Sequence, residues 1–376
     1  MRFGFSEEQE QFRASIQGFL ARHSPSTEVR RLMATAEGFD EAVWKQLSEE
    51  LVLTGIHVPE AYGGAGFGFV ELSIVLQEMG RSLLCAPYFS SAVLATHAIV
   101  NGASEAAKLA LLPTIASGEL IATLAVTEAN GRWDAHGIEL SATEHDHGYR
   151  LNGAKKFVID GHTAKLIIVA ARTPGSDGDT GITLFRVDGN TPGLQRRLLE
   201  TIDATRKQAE LTFDNVAAEP IGEIGGGAAA LAKTLDQAAV ALASEMVGGA
   251  QALLDAALEY CQLRMQFGRT IGSFQAIKHK CADLLLQVEL AKAATFYAAA
   301  AIAENDPEVP ALASLAKATA ADAYMHTAQE CIQIHGGIGF TWDHDAHLWF
   351  KRAKSSEVLL GDPGYHRERY MQWVAA

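Results

Sequence analysis

Hydrophobic periodicity changes twice along this chain, and that constrains its fold more than any other feature of the sequence. Up to about residue 118 apolar residues recur at helical spacing, with Ser6-Glu7-Glu8-Gln9 reading as a capping-box start and Asp40 as a helix cap before Ala42-Val43-Trp44. From Ile121 the period shortens. Residues 124–127, 148–151, 156–159, 166–169, 182–185 and 209–213 form short apolar or alternating runs separated by Gly, Asn, Asp and Pro. Such runs indicate a compact antiparallel barrel or sandwich. After Gly225-Gly226-Gly227, read as a hinge-like boundary, helical periodicity returns and is broken near Gly268 to Ser273, Asn305 to Pro310 and Gly336 to Gly339. An antiparallel bundle follows from that pattern. The expectation is an α+β multidomain chain: an N-terminal all-α domain at 1–118, a middle antiparallel β-barrel at 119–222 and a C-terminal helical bundle at 223–376.

Composition narrows the function. With 376 residues, 48% hydrophobic and 20% charged, a sizeable core is available. The formal net charge of -14, without a long run of Lys and Arg, argues against a nucleic-acid partner. Cys85, Cys261, Cys281 and Cys331 lack ligand-like spacing and read as reduced small hydrophobes. The first twenty residues are neither a basic leader nor an unbroken apolar span, so the expectation is a cytoplasmic protein with no membrane partner.

Two stretches of the last third carry the chemistry: Arg264-Met265-Gln266-Phe267-Gly268-Arg269, running on to Gly272-Ser273-Phe274-Gln275, and Gln333-Ile334-His335-Gly336-Gly337-Ile338-Gly339-Phe340. Both fall where Ala/Leu-rich helices terminate. Unpaired backbone N–H groups, bare glycine backbone and a guanidinium there suit a pyrophosphate. Each stretch alone reads as a helix stop; together they resemble the paired signatures of the acyl-CoA dehydrogenase family. Pro59-Glu60-Ala61-Tyr62-Gly63-Gly64 is similar to another loop of that family, and the likeness extends over essentially the whole chain.

The resemblance implies FAD, held half by the barrel, around the flavin ring, and half by the bundle, around the adenosine-diphosphate part of a neighbouring chain's cofactor. The bundle half matches throughout, at Arg264, Gln266, Phe274, Gln275, Gln333, Gly336 and Gly337. In the barrel half Val126-Thr127-Glu128 matches, and Thr127 is the cofactor residue expected there. Beyond it the pattern departs: Trp133 stands where the family has a small serine, and Phe157-Val158-Ile159 replaces Trp-Ile-Thr, so one hydroxyl is missing. The base departs further. The family takes a proton alpha to the thioester with a glutamate at one of two positions, which fall here at Leu360 and Ala238, with Ala239 where an arginine is expected. Neither side chain accepts a proton, so no catalytic residue is assigned. Asp362, Glu245 and Asp236 are the weak substitutes; Glu245, seven residues from Ala238, lies about 10 Å along the helix.

His344, His347 and His366, with Asp343 and Asp345, read as surface residues rather than a metal set. Trp342-Asp343-His344-Asp345-Ala346-His347-Leu348 resembles a subgroup of the family from bacterial steroid and other bulky acyl-CoA catabolism. The expected function is therefore one subunit of a hetero-oligomeric, FAD-dependent acyl-CoA dehydrogenase, desaturating an acyl-CoA at the alpha and beta carbons. Its bundle would complete the FAD site of a homologous partner that supplies the glutamate, in a heterotetramer. The alternatives are an autonomous homotetramer using another acid, and a silent acyl-CoA or flavin-binding scaffold. The resemblance further implies an electron-transferring flavoprotein as acceptor.

Overall fold

A computed structural model describes residues 4–146 and 148–375. In chain order the N-terminal third holds α1 (Glu7–His23), α2 (Ser26–Met33), α3 (Glu41–Glu49), α4 (Phe69–Arg81), α5 (Thr96–Gly102) and α6 (Glu105–Ala116). Seven strands follow: β1 (Ala122–Ala125), β2 (Ser141–His145), β3 (Gly148–Ile159), β4 (Leu166–Arg172), β5 (Ile182–Asp188), β6 (Leu194–Leu198) and β7 (Gln208–Pro220). The remainder is α7 (Ala228–Leu263), a two-strand hairpin of β8 (Met265–Gln266) and β9 (Arg269–Thr270), then α8 (Gln275–Glu304), α9 (Val309–His335), α10 (Ala346–Val358) and α11 (Pro363–Ala375). Packing separates the chain into two compact units, one of Met1–Arg31, Phe69–Leu84 and Ala239–Ala376, the other of Leu32–Gly68 and Cys85–Ala238.

The first unit is helical. Ser6 caps α1 in a complete capping box: its hydroxyl accepts from the Gln9 amide at 3.2 Å, and the Gln9 side chain accepts from the Ser6 amide at 2.8 Å. Small residues set the spacing of α4 against α7. A Cβ on Gly80 would lie 2.0 Å from the Glu245 carbonyl oxygen, and one on Gly248 only 1.8 Å from that of Gln77. The two backbones therefore touch, which no larger residue permits. Ala-rich stretches of α8 and α9 bury Ala298 to Ala301 and Ala311 to Ala323 in part by the same close packing. Helix α8 is long and apolar enough to cross a membrane by length and composition, with 39% of that window buried inside the fold.

The second unit is built on the sheet. Strands β4, β2, β3, β7 and β5 pair in a ring that closes back on β4, with β1 added beside β4 and β6 beside β7. Leu151, Ile167, Val169, Phe185, Leu211 and Phe213 fill the barrel. The antiparallel expectation needs amending at β4: β1 pairs it in parallel, Ala122 against Leu166 through Ala125 against Val169, and β2 meets it in parallel at Ser141 against Arg172, neither strand being joined to β4 by a hairpin. Strands β2 and β6 were not expected from hydropathy. They are Ser-Ala-Thr-Glu-His and Leu-Gln-Arg-Arg-Leu, with at most one fully buried residue each, so they carry little apolar signal. Gly225 N donates to Thr183 Oγ1 at 2.8 Å and Gly227 N to the Ile182 carbonyl at 2.7 Å, which pins the start of α7 to β5.

Candidate functional site

The two bundle motifs both lie in the first unit, at the ends of α7 and α9. Arg264 follows the last turn of α7, its amide bonded to the Tyr260 carbonyl at 2.9 Å, and the Tyr260 ring stacks on His335 with centroids 4.3 Å apart. That stack sets the end of α7 beside the end of α9, and so Arg264 and Gln266 near Gln333, Gly336 and Gly337. Gly336, at φ 67, ends the helix; a Cβ on Gly336 or Gly337 would meet nothing within 4 Å. Arg264, Gln266, Gln275 and Gln333 are exposed, and among the described residues their side chains make no hydrogen bond. Helix α8 begins at Gln275 without a side-chain cap, its N-cap being Phe274. Uncapped N–H groups, a partnerless guanidinium and bare glycine backbone form a surface for an anion. Phe274 differs from the rest: Arg269 sits over its ring at 4.0 Å, so it packs the hairpin.

In the second unit the loop from Val126 to Glu128 is held by a charge that hydropathy did not reveal. Lys155 is fully buried and donates to Glu128 Oε1 at 2.6 Å and to the Val126 carbonyl at 2.8 Å. Glu128 Oε1 also accepts from the Glu139 and Leu140 amides. Burial pushes the lysine down to about 8, with Glu128 opposing that shift. The clamp leaves Thr127 between two fixed residues, buried, its hydroxyl without a partner. A buried orphan hydroxyl is uncommon and calls for a partner. Phe157 is at a bulge of β3, at φ 53, with its ring 48% exposed, as an aromatic kept for a ligand face would be. Ile159 is buried; its carbonyl accepts from Thr123 Oγ1 at 2.6 Å, so Thr123 does not replace the missing hydroxyl. Trp133 is half-buried in the loop that Asn130 and Asp134 organise.

The base positions hold no acid. Leu360 is buried at φ 61, and Ala238 and Ala239 are buried in α7. The three substitutes all have partners of their own. Glu245 Oε1 accepts from Arg352 Nη1 at 2.6 Å in a buried ion pair. Asp362 Oδ1 accepts from the Tyr365 amide at 2.8 Å and caps α11. Asp236 is buried within the second unit.

The family models decide what this set of residues belongs to. Descriptions of the acyl-CoA dehydrogenase N-terminal, middle and C-terminal domains match residues 6–119, 123–216 and 225–375. The chain belongs to the acyl-CoA dehydrogenase family. Members are FAD-dependent oxidoreductases acting on a CH–CH bond, and the chain is one by class. It is 32% identical over 357 residues to acyl-CoA dehydrogenase IpdE2 of Mycobacterium tuberculosis, covering 95% of this chain and 94% of that one. The solved Tcur3481–Tcur3483 steroid acyl-CoA dehydrogenase is similar at TM-score 0.88 and 29% identity, over 98% of both chains. The ChsE4–ChsE5 complex of Mycobacterium tuberculosis is similar at TM-score 0.90 and 27% identity, covering 100% of this chain and 99% of that one.

Within the family fold, the histidine-rich segment after Gly339 proves to be a packing knot. Arg30 Nε donates to Asp345 Oδ1 at 2.7 Å and its Nη2 to the His344 carbonyl at 3.2 Å. The Arg30 guanidinium and the Lys351 ammonium lie 5.8 and 4.5 Å from the Trp342 ring centroid, and His347 meets that ring edge to face. His344 Nδ1 accepts from the Ala346 amide, and His366 bonds elsewhere, to the Leu360 carbonyl. Among the described residues no group of three or more His, Cys, Asp or Glu is placed to hold a metal ion. The four cysteines are free, and burial pushes the Cys261 and Cys331 thiols up to about 12.

Proposed function

We propose that this chain is the base-lacking subunit of a hetero-oligomeric acyl-CoA dehydrogenase, whose bundle holds the adenosine-diphosphate end of an FAD completed by a homologous partner. One observation carries the reading: an open, partnerless anion surface at Arg264, Gln333, Gly336 and Gly337 in a chain whose base positions are Leu360 and Ala238. FAD fits the bundle half-site: Arg264 and the bare amides would hold its pyrophosphate, and Gln266, Gln275 and Gln333 its adenosine side. Thr127 belongs to the chain's other half-site, where its orphan hydroxyl would face the ring of a flavin held at its far end by a neighbouring chain; Trp133 and Ile159, in place of the family's Ser and Thr, make that half-site the weaker. When bound, FAD accepts the hydride that leaves the beta carbon of the thioester. The alpha proton needs a carboxylate that this chain does not present, and the partner's glutamate supplies it.

The partner surface has support in exposed apolar side chains around the same motifs. Leu263, Met265, Phe267 and Phe340 are 70%, 54%, 90% and 76% exposed. Leu285, Leu286 and Leu290 on α8 are exposed as well, more large apolar side chains than water alone favours. Similarity to a solved steroid acyl-CoA dehydrogenase and to the ChsE4–ChsE5 complex supports a bulky acyl-CoA and a partner of a different sequence, and the family resemblance implies a heterotetramer with an electron-transferring flavoprotein as acceptor. The free cysteines suit a reducing compartment such as the cytoplasm. Replacing Arg264→Ala in the assembled oligomer tests the assignment. FAD retention should fall by roughly 10- to 100-fold, the worth of a charge-assisted contact, with thermal stability unchanged because the side chain has no partner in the fold. Unaltered FAD affinity would refute it.

A further inference from the structure

The turn that carries Leu360 is held by more than its sequence requires. A leucine at φ 61 costs roughly 1–2 kcal/mol relative to the right-handed regions, and persists only where its surroundings leave it no choice. Here they leave none. Lys317 of α9 is fully buried, and its Nζ donates to the Glu357 carbonyl at 3.2 Å and to the Gly361 carbonyl at 3.0 Å. His366 of α11, also buried, donates from Nε2 to the Leu360 carbonyl at 3.0 Å, with its Nδ1 3.4 Å from Ser314 Oγ. Gly361 follows at φ 100, where a Cβ would fall 2.3 Å from Tyr365 Cδ1. Three carbonyls in five residues are thus fixed by two buried basic side chains.

Such a brace is a poor way to stabilise a core. Burying an amine is costly, and an apolar side chain of similar volume would serve stability as well or better. What the brace supplies is a single geometry at position 360. We infer that Lys317 and His366 are positioning residues that hold position 360 in the geometry of a working base turn, so that this chain lacks only the carboxylate there. This rests on the assignment of position 360 as a base position. The groups facing the brace are Glu357 and Asp362, which favour the charged lysine, and Arg369, which with Lys317 disfavours a charged His366.

The experiment has two arms. In the first, crystal structures and thermal melts are compared for the assembled protein and for Lys317→Met, Leu360→Gly and the double variant. Loss of the brace should return residue 360 to negative φ in Lys317→Met, and Leu360→Gly, which loses a buried side chain in either background, should cost less in the parent, where it relieves strain, than in the Lys317→Met background. A Leu360 still at positive φ without Lys317, or strictly additive melting shifts, would overturn the brace; His366→Leu gives a second route should Lys317→Met fail to fold. In the second arm, Leu360→Glu is assayed for exchange of the alpha protons of butanoyl-CoA with deuterium oxide, and is expected to exceed the parent at least tenfold. Exchange at the parent rate in a Leu360→Glu protein whose turn is unchanged would overturn the claim that only the acid is missing. A failure confined to this arm faults the base-position reading and leaves the brace standing.

Discussion

Thr127 shows how one residue separates fold from function. Its buried hydroxyl has no partner in the protein, so the fold gains nothing from it. Thr127→Val should leave the melting temperature level or slightly higher, since an unpaired buried hydroxyl costs about 1–3 kcal/mol, and the FAD content of the assembled oligomer should stay level, because that flavin's ring lies against the partner's barrel. A destabilised variant with normal flavin content would show that the hydroxyl serves the fold. Glu245 is the opposite case. Its carboxylate neutralises buried Arg352 at 2.6 Å, so Glu245→Gln should cost roughly 3–5 kcal/mol by leaving a buried charge unpaired. The pair Glu245→Leu with Arg352→Met should recover most of that in a urea melt; a single variant within about 0.5 kcal/mol of the parent would deny the pairing. The sequence could suggest Glu245 as a substitute base because helical spacing puts it near Ala238, but spacing says nothing of an arginine more than a hundred residues away. Arg264, Gln333 and the glycines were legible for the converse reason: their contacts are local helix ends, and helix ends are written in consecutive residues.

Elements repeat that lesson. Helices α1 and α3 were visible because caps and apolar period agree, at Ser6 and Asp40, and α7, α8 and α9 through their helical period and the glycine and proline breaks between them. Strands β2 and β6 were not, because they bury at most one residue fully and owe their form to the neighbours β3 and β7. The Trp342 to Leu348 segment was visible as a motif, yet its contacts to Arg30 give it a packing duty that no local pattern encodes. The crossing of α4 and α7 is the strictest element-scale constraint. Gly248→Ala would set a methyl 1.8 Å from the Gln77 carbonyl oxygen, which backbone cannot yield without moving the helix. A loss of about 1–3 kcal/mol by denaturant unfolding is expected from such overpacking, and a neutral result would mean that the helices separate freely.

At the scale of the whole molecule, buried bases set the pH dependence of stability. Burial brings Lys317 down to about 7 and Lys155 to about 8, from 10.5 when exposed. Between those values the unfolded chain holds more protons than the folded one, so stability rises with pH across this window. His97 and His366, brought down to about 4 and about 3 from 6.5, act in the same direction at lower pH. Cys261 and Cys331, raised from 9.0 to about 12, oppose the trend only above about pH 9. The melting temperature should therefore climb from about pH 7 to about pH 9, and the climb should shrink in Lys317→Met; a fall over that interval would contradict the assigned burial. The central claim, that this chain completes a flavin site without supplying a base, is tested most directly by counting FAD. Purified alone, the chain should carry little FAD and reduce no dye with any acyl-CoA; co-purified with a glutamate-bearing homologue, it should carry about one FAD per two chains and turn over. One FAD on every chain of the isolated protein, with robust turnover, would contradict the account.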